Sequence, residues 1–382
     1  MEVNLTVPTI MEPTPLPCRS FGAAPTPGPD APSLFPPITE ADHKRGPENS
    51  AVTIMVYGDF QDVNSALFFG VLGRLMAEHP NDIQLISRPF PLIGRNDKAV
   101  HAAQAVEAAH RQGKFWELHD LLYSQQENWA ELPPEDFEQW SAAQASALGM
   151  DVERYQADVR SEAVVDLVQG NFERAQEFGP FAVPLIILNG EIYLGPQDYS
   201  SLNDIVRLIL LGKRQYTECP PFIVESTKQY IATLHTEKGD VVIQLFADKA
   251  PFTVNSFVFL AQSGWYDGIT FHRVLPELYA QSGDPSGTGK GTPGYYVVTE
   301  YLPDLTFDKP GMVAMVNSGQ DANGSQFFIT LAPTPQFDGR YTIFGEVLSG
   351  MDVLKSLTPR DAQIGVETPP GDRLLSVEIL TK

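Results

Sequence analysis

The sequence predicts a multidomain protein in which an α/β domain with a helical insertion is followed by an antiparallel β-barrel. The chain has 382 residues, which is too long for one ordinary hydrophobic core. Residues 46–214 alternate strand-like and helical segments, whereas residues 229–382 contain many short strands between Gly- and Pro-containing turns. We therefore expect a tail at 1–45, a first domain at 46–214, a linker at 215–228 and a second domain at 229–382.

The tail has the composition of a disordered segment. Ten of the 32 prolines precede residue 38, mixed with Thr, Ala and Gly. Such a segment cannot bury enough apolar surface to offset the entropy lost on ordering, so a disordered Pro/Thr-rich tail is expected. Met1 is followed by Glu2 without a basic start or an apolar stretch, so we expect no signal peptide in the chain as written.

Charge and apolar patterning exclude several classes of partner. The formal charge is −22, and an acidic surface repels phosphate backbones, so no nucleic-acid partner is expected. The longest apolar runs, such as residues 206–211, are far shorter than a membrane span, so no transmembrane segment is expected. The seven histidines show no ligand spacing, and we expect no metal or cofactor. A monomer is expected.

The two cysteines lie outside the predicted domain cores. Cys18 is in the tail, and Cys219 precedes two prolines in the linker. One interpretation is a disulfide that fastens the tail to the domain junction, which would favour an oxidising, extracytoplasmic compartment. The other interpretation is two unrelated exposed thiols. The compartment itself is not fixed by the sequence.

The first domain begins with a buried strand at 51–57. After a helix that follows this strand, the remaining elements are a strand at 83–88, helices at 98–112, 114–123, 135–148, 152–159 and 162–178, a hairpin at 185–188 and 191–193, and a helix at 200–211. This order is that of a thioredoxin fold with a helical insert, and with Asp-Phe-Gln at 59–61 the domain resembles the DsbA-type disulfide oxidoreductases.

The resemblance implies a Cys-x-x-Cys pair after the first strand, but the sequence lacks it. The two positions hold Asp62 and Ser65, which cannot form a disulfide, so a redox-inactive domain is expected. Asp62 suits the N-terminus of a helix. Pro184 matches the cis-proline of the family, and it indicates either a retained peptide-docking groove or a constraint on the entry to the hairpin.

The second domain carries five ordered motifs. Strands are predicted near 230–235, 240–246, 270–274, 311–317, 326–330, 342–347 and 374–380, with helices at 251–263 and 351–356. The motifs are Phe-His-Arg-Val at 271–274, Gln-Ser-Gly-Asp at 281–284, Gly-Met-Val-Ala-Met-Val-Asn at 311–317, Asn-Gly-Ser-Gln-Phe-Phe-Ile at 323–329 and Asp-Gly-Arg-Tyr-Thr-Ile-Phe-Gly at 338–345. Together they resemble the cyclophilins, the peptidyl-prolyl cis-trans isomerases. Residues 323–325 also match a glycosylation acceptor, although the surrounding motif favours a loop.

The resemblance implies a site without nucleophile, metal or cofactor. Arg273 occupies the catalytic arginine position, and Gln281 matches a position that orients the arginine or holds the substrate backbone. The substrate-binding positions implied by the resemblance are Leu278, Tyr279, Val316, Asn317, Ser318, Gln326, Phe328, Phe337 and Tyr341. Gln336 replaces the usual tryptophan, which makes sensitivity to cyclosporin-type ligands doubtful.

The sequence therefore predicts a protein-folding factor that acts on proline-containing polypeptides. In this interpretation a cyclophilin-type isomerase follows a redox-inactive thioredoxin-like domain that binds peptides or acts as a spacer. The alternative is a non-catalytic peptide-binding chaperone in which both domains are degenerate and Arg273 is a salt-bridged scaffold residue.

Overall fold

A computed structural model of the chain describes residues 17–21, 35–177, 182–361 and 370–382. The chain divides into two compact units with the boundary between Ile209 and Leu210, and the described residues 17–21 belong with the C-terminal unit. None of the helices in the described residues is long and apolar enough to cross a membrane.

The N-terminal unit is an α/β structure. Its strands are β2 (His43–Arg45), β3 (Val52–Gly58), β4 (Ile83–Pro89), β5 (Leu185–Leu188) and β6 (Glu191–Ile192), whereas β1 (Cys18–Ser20) is part of the other unit. Its helices are α1 (Val63–Glu78), α2 (Ala99–His110), α3 (Phe115–Ser124), α4 (Gln126–Trp129), α5 (Pro134–Ala147), α6 (Val152–Val159), α7 (Glu162–Gln176) and α8 (Tyr199–Gly212), the last of which continues past the boundary.

The sheet of the N-terminal unit has the strand order β2-β4-β3-β5-β6. The central strands β3 and β4 are parallel, while β2 and the β5–β6 hairpin are antiparallel to their neighbours. β3 is buried at nearly every position, as expected for a strand covered on both faces. The thioredoxin-like fold with a helical insertion between β4 and β5 is confirmed.

The C-terminal unit is a curled antiparallel sheet with two helices. Its strands are β1 (Cys18–Ser20), β7 (Tyr230–Thr236), β8 (Gly239–Leu245), β9 (Ile269–Thr270), β10 (Arg273–Leu275), β11 (Tyr279–Ser282), β12 (Tyr295–Val297), β13 (Met312–Asn317), β14 (Asn323–Thr330), β15 (Ile343–Ser349), β16 (Arg360–Asp361) and β17 (Arg373–Thr381). The helices are α9 (Pro251–Gln262) and α10 (Met351–Lys355), and a 3-10 turn spans Pro335–Phe337.

Strand order in this sheet is β16-β10-β11-β14-β13-β15-β8-β7-β17-β9, with β12 joining β1 to β14. Side chains on the inner face of the sheet pack with α9 into one core, in which Phe257 contacts Tyr266, Phe327 and Phe344. The unit has the predicted cyclophilin-type architecture.

Parts of the predicted tail are ordered. Residues 18–20 form β1, which pairs with β12, and His43–Arg45 form β2, which pairs with β4. Phe35 is buried in the N-terminal unit, and Arg88 donates hydrogen bonds to the carbonyl oxygens of Pro36 and Pro37. Composition could not reveal this because every one of these partners is distant in the sequence. The tail residues 1–16 and 22–34 lie outside the described residues.

The predicted linker at 215–228 also packs on the C-terminal unit. The side chain of Asn255 accepts hydrogen bonds from the backbone N–H groups of Ile223 and Val224, and it donates one to the carbonyl oxygen of Pro221. The backbone N–H of Tyr216 donates to the carbonyl oxygen of Pro293. A buried amide thus supplies the partners that an isolated linker would lack.

Candidate active site

Three neighbouring strands place the main candidate residues in one row. Arg273 on β10 is the register partner of Gln281 on β11, and Gln281 is the register partner of Phe328 on β14. Residues directly opposite each other in antiparallel strands project from the same face of the sheet. Residues up to 55 positions apart in the sequence are therefore brought side by side by strand pairing.

An aromatic pocket surrounds Phe328, which is buried. Its ring lies 5.4 Å from that of Tyr279, 5.7 Å from that of Phe337 and 5.1 Å from that of Tyr341, between ring centroids. Phe307 stacks on it at 5.8 Å. The three rim rings are only partly buried, so the cluster offers an apolar surface with Phe328 as its base.

Several pocket residues were not predicted. Phe307 and Met312 belong to the buried part of the cluster together with Ala314 and Ile343. Phe307 lies in an irregular segment, where neither strand nor helix periodicity signals burial. Met312 and Ala314 are within a predicted strand. The alternation of side chains along a strand places both on the same face, but it does not show that this face lines the pocket.

Two glutamines form a buried chain of hydrogen bonds beside the row. Gln281 Nε2 donates to Gln326 Oε1 at 2.9 Å, and Gln326 Nε2 donates to the carbonyl oxygen of Gly291 at 3.0 Å. Asn317 Nδ2 donates to the carbonyl oxygen of Arg340 at 2.8 Å. Each amide is thereby fixed in orientation and keeps at least one acceptor lone pair for a peptide backbone.

The glycine-rich loop that receives Gln326 is organised by Asp284, which is fully buried. Its carboxylate accepts hydrogen bonds from the backbone N–H groups of Ser286, Gly289 and Gly291 at 2.7–2.9 Å. A side chain at Gly291 would collide with this carboxylate. Gly289 and Gly291 of the Gly-x-Gly-x-x-Gly spacing at 289–294 thus belong to a turn built around this aspartate. A side chain at Gly294 would instead collide with the backbone of Tyr216.

Arg273 lies at the edge of the row with its side chain 24% exposed. Its Nη2 atom is 3.1 Å from Oδ2 of Asp361, and its guanidinium carbon is 5.6 Å from the centre of the Tyr279 ring. Among the described residues, no hydrogen-bond partner meets its buried Nε atom. The partly exposed guanidinium also carries N–H groups beyond the one that faces Asp361, and these can donate to an electron pair of a ligand beside the aromatic pocket.

His272, next to Arg273, does not supply acid–base chemistry at neutral pH. Burial lowers its pKa to about 4, although the nearby carboxylate of Asp284 opposes this shift. The ring is therefore neutral at pH 7. A neutral ring also avoids repulsion with the guanidinium of Arg273.

Two predicted binding residues lie at the margin. Leu278 is in the turn between β10 and β11, and Ser318 follows β13 on the exposed surface. Neither belongs to the aromatic cluster, whereas Val316 packs against it. The predicted loop at 323–325 is the buried beginning of β14, because Asn323 pairs with Val297 of β12 and with Asn317 of β13.

The site in the N-terminal unit contains no thiol. Asp62 caps α1 by accepting hydrogen bonds from the backbone N–H of Ser65 at 2.7 Å and from its hydroxyl at 2.9 Å. The peptide bond between Val183 and Pro184 is cis. Burial raises the pKa of the nearby Asp59 carboxyl, against the opposing effect of hydrogen bonds that include one from the Leu92 N–H. The residues at the two cysteine positions now serve the helix terminus.

Both cysteines of the chain form one disulfide inside the C-terminal unit. The sulfur atoms of Cys18 and Cys219 are 2.08 Å apart, and their Cα atoms are 6.1 Å apart. The bridge thus attaches β1 to the segment that had been predicted as a linker. In the described parts of the chain, no group of three or more His, Cys, Asp or Glu side chains is placed to hold a metal ion.

Known proteins match each unit separately. A family described as cyclophilin type peptidyl-prolyl cis-trans isomerase/CLD matches residues 231–379, and a family described as thioredoxin matches residues 39–207. Peptidyl-prolyl cis-trans isomerase A of Mycobacterium tuberculosis (strain H37Rv) is 51% identical over 132 residues, covering 31% of this chain and 72% of that protein. Peptidyl-prolyl cis-trans isomerase-like 1 of Rhizopus delemar is 44% identical over 148 residues, covering 38% of this chain and 86% of that protein.

A solved cyclophilin-type isomerase from Cryptosporidium parvum covers 40% of this chain and 99% of its own, with 29% identity and a TM-score of 0.37. The fold and the sequence relatives together define a prolyl isomerase domain joined to a thioredoxin-like domain. The chain belongs to the cyclophilin-type peptidyl-prolyl cis-trans isomerases.

Proposed function

We propose that the C-terminal unit isomerises the peptide bond before proline in polypeptide clients, with Arg273 as the catalytic group. The observation that carries the proposal is the row of Arg273, Gln281 and Phe328, which sets a guanidinium beside an aromatic pocket. The pocket around Phe328 accepts the proline ring, while the buried amides hold the backbone on either side. This arrangement supports binding one short segment of extended chain.

The chemistry requires no bond to be made or broken. Rotation about the X–Pro bond is slow because the nitrogen lone pair is delocalised into the carbonyl, with a barrier of roughly 18–20 kcal/mol for a peptide bond. In the twisted transition state, nitrogen regains its lone pair and becomes a hydrogen-bond acceptor. A donor from Arg273 meets this acceptor only in the twisted state, so the interaction lowers the barrier without stabilising the ground state.

The amides and the aromatic ring supply orientation. Gln326 and Gln281 are fixed by their mutual hydrogen bond, and Asn317 by its bond to the Arg340 carbonyl. Fixed groups need no reorganisation when the amide twists, which is the main source of electrostatic catalysis. Phe328 holds the proline ring while the preceding carbonyl rotates.

The N-terminal unit acts as a redox-inactive module that binds peptides or spaces the isomerase. Asp62 and Ser65 at the cysteine positions support the absence of thiol chemistry. The disulfide between Cys18 and Cys219 supports an extracytoplasmic compartment, because disulfides persist in oxidising environments. The charge of −22 supports polypeptide clients rather than nucleic acid, and we propose a monomer.

An exchange experiment on an Ala-Pro peptide tests the proposal. With the full chain present, NMR exchange spectroscopy should show cis–trans interconversion far faster than the uncatalysed process, which takes tens of seconds or longer. Peptide resonances that shift on binding without faster exchange would instead establish the non-catalytic binding protein. No shift and no exchange would reject both functions.

A further inference from the structure

A two-residue strand places a carboxylate against the proposed catalytic arginine. β16 pairs with β10 so that Asp361 lies directly opposite Arg273, while Arg360 lies opposite Val274. Asp361 Oδ2 is 3.1 Å from Arg273 Nη2, and the two side chains are only 14% and 24% exposed. Water therefore screens this ion pair less than an ordinary surface pair.

The position of Asp361 is fixed by packing around β16. Gly371 lies against the guanidinium of Arg360 and the carbonyl oxygen of Phe271, and a side chain at Gly371 would collide with both. Just before β16, the backbone N–H of Thr358 donates to the carboxylate of Asp372. These contacts hold Thr358 and Arg360, just before Asp361, in addition to the pairing of β16 with β10.

Arg273 has few other groups to hold it. The amide of Gln281, its register partner on the other side, donates to Gln326. Tyr279 lies near the guanidinium, and Nε of Arg273 has no partner among the described residues. Asp361 is therefore the one carboxylate that forms an ion pair with Arg273 in the described parts of the chain.

We propose that Asp361 is a positioning residue that holds the Arg273 guanidinium ready for the twisted amide, an inference that rests on the proposed isomerase function. The ion pair engages Nη2 and leaves other N–H groups of the guanidinium to donate to the prolyl nitrogen. An arginine side chain that rotates freely loses conformational entropy about several bonds when it binds a ligand. An arginine that a carboxylate already holds loses less of this entropy. Asp361 itself does not contact the substrate in this role.

Substitution of Asp361 should lower the rate through kcat. We expect Asp361→Ala to reduce kcat/KM by about fivefold, equivalent to about 1 kcal/mol, with KM little changed. The kcat/KM of Asp361→Asn should lie between those of Asp361→Ala and wild type, because the amide oxygen still accepts a hydrogen bond from the guanidinium. Asp361→Glu should recover part of the rate because the charge is retained.

A double-mutant cycle separates positioning from a general structural effect. In an Arg273→Ala background, Asp361→Ala should cause no further loss, because the group it positions is absent. Glu346→Gln is the matched control: it removes an acid ion-paired with Lys309 at 2.6 Å elsewhere in the same unit, and its rate should equal that of wild type. Thermal unfolding of each variant checks that the fold is kept.

NMR of the arginine side chain gives a readout that does not depend on activity. The Nε–H resonance of Arg273 should show an ordered side chain in wild type and a mobile one in Asp361→Ala. If wild type is active and Asp361→Ala has the same rate, the positioning role alone is overturned. A faster rate for Asp361→Ala would also overturn it, because the carboxylate would then hold the arginine away from the substrate. A wild type that orders Arg273 but shows no isomerase activity would overturn the proposed function, and the positioning role with it.

Discussion

The two units of this chain each have the scaffold of an enzyme family, but only the C-terminal unit has side chains suited to that family's reaction. In the C-terminal unit, strand pairing brings Arg273, Gln281 and Phe328 into one row. In the N-terminal unit, Asp62 is the N-cap of α1 and accepts hydrogen bonds from Ser65, three residues later, and neither residue carries a thiol. The two sites thus differ in the chemistry of their side chains.

The comparison shows why a scaffold can outlast its chemistry. The start of α1 needs a group that accepts hydrogen bonds from unsatisfied backbone N–H groups. Asp62 meets this structural need without any catalytic role. By contrast, prolyl isomerisation makes and breaks no bond, so the proposed C-terminal site needs a placed donor such as Arg273 and no nucleophile.

Restoring two thiols should produce the largest effect. The side-chain oxygen of Asp62 and the hydroxyl of Ser65 are 2.9 Å apart, so sulfur atoms at these positions can meet. We expect wild type to show no insulin reduction with dithiothreitol, and Asp62→Cys combined with Ser65→Cys to form a disulfide and gain turnover. The single substitution Asp62→Cys is the control and should remain inactive. Turnover by wild type that survives replacement of Cys18 and Cys219 by serine would show that redox chemistry is not lost.

Removal of the disulfide should destabilise the C-terminal unit. The bridge joins residues 201 positions apart, and its loss should lower the free energy of unfolding by about 2–4 kcal/mol through the entropy of the unfolded chain. Trp265 is the one tryptophan of this unit. In a chain whose other tryptophans are replaced by phenylalanine, its fluorescence therefore reports the urea-induced unfolding of this unit. Cys18→Ser with Cys219→Ser should unfold at lower urea and keep the isomerase rate. An unchanged midpoint would show that β1 is not stabilised by the bridge.

His272 should make the stability of the isomerase unit sensitive to acid. Its pKa is about 4 in the folded state and about 6.5 when unfolded, so the unfolded state binds more protons between these values. Stability should therefore fall as the pH drops from about 6.5 to about 4, by up to about 3 kcal/mol, and change no further from this group below pH 4. Urea unfolding of wild type and His272→Gln at several pH values isolates the contribution. Parallel pH curves for the two proteins would contradict it.

Local pattern predicted most of the regular elements. Residues 152–159 and 185–188 match α6 and β5 to the residue, because amphipathic or β-branched runs there are bounded by capping and turn residues. The predicted strand at 270–274 is in fact two strands, β9 and β10, because Thr270 pairs with β17 whereas Arg273 pairs with β11. That break depends on partners elsewhere in the chain.

Three of the short strands missed by the sequence share this dependence. β1, β2 and β16 are two or three residues long, and each exists only by pairing with a distant strand. Asp361 was missed for the same reason, since it meets Arg273 across 88 positions of sequence without any local signal. The motif residues were found because the family resemblance supplied the long-range information that periodicity lacks.

The isomerase rate of the Arg273→Ala chain tests the central claim most directly. On an Ala-Pro peptide, measured by NMR exchange, kcat/KM should fall at least tenfold, equivalent to about 1.4 kcal/mol, because the lost hydrogen bond forms chiefly with the twisted amide. Thermal unfolding should show that the variant remains folded, and Arg340→Ala, which changes an exposed arginine next to Tyr341 of the same pocket, should keep the wild-type rate. A folded Arg273→Ala chain that isomerises the peptide as fast as wild type would contradict the account.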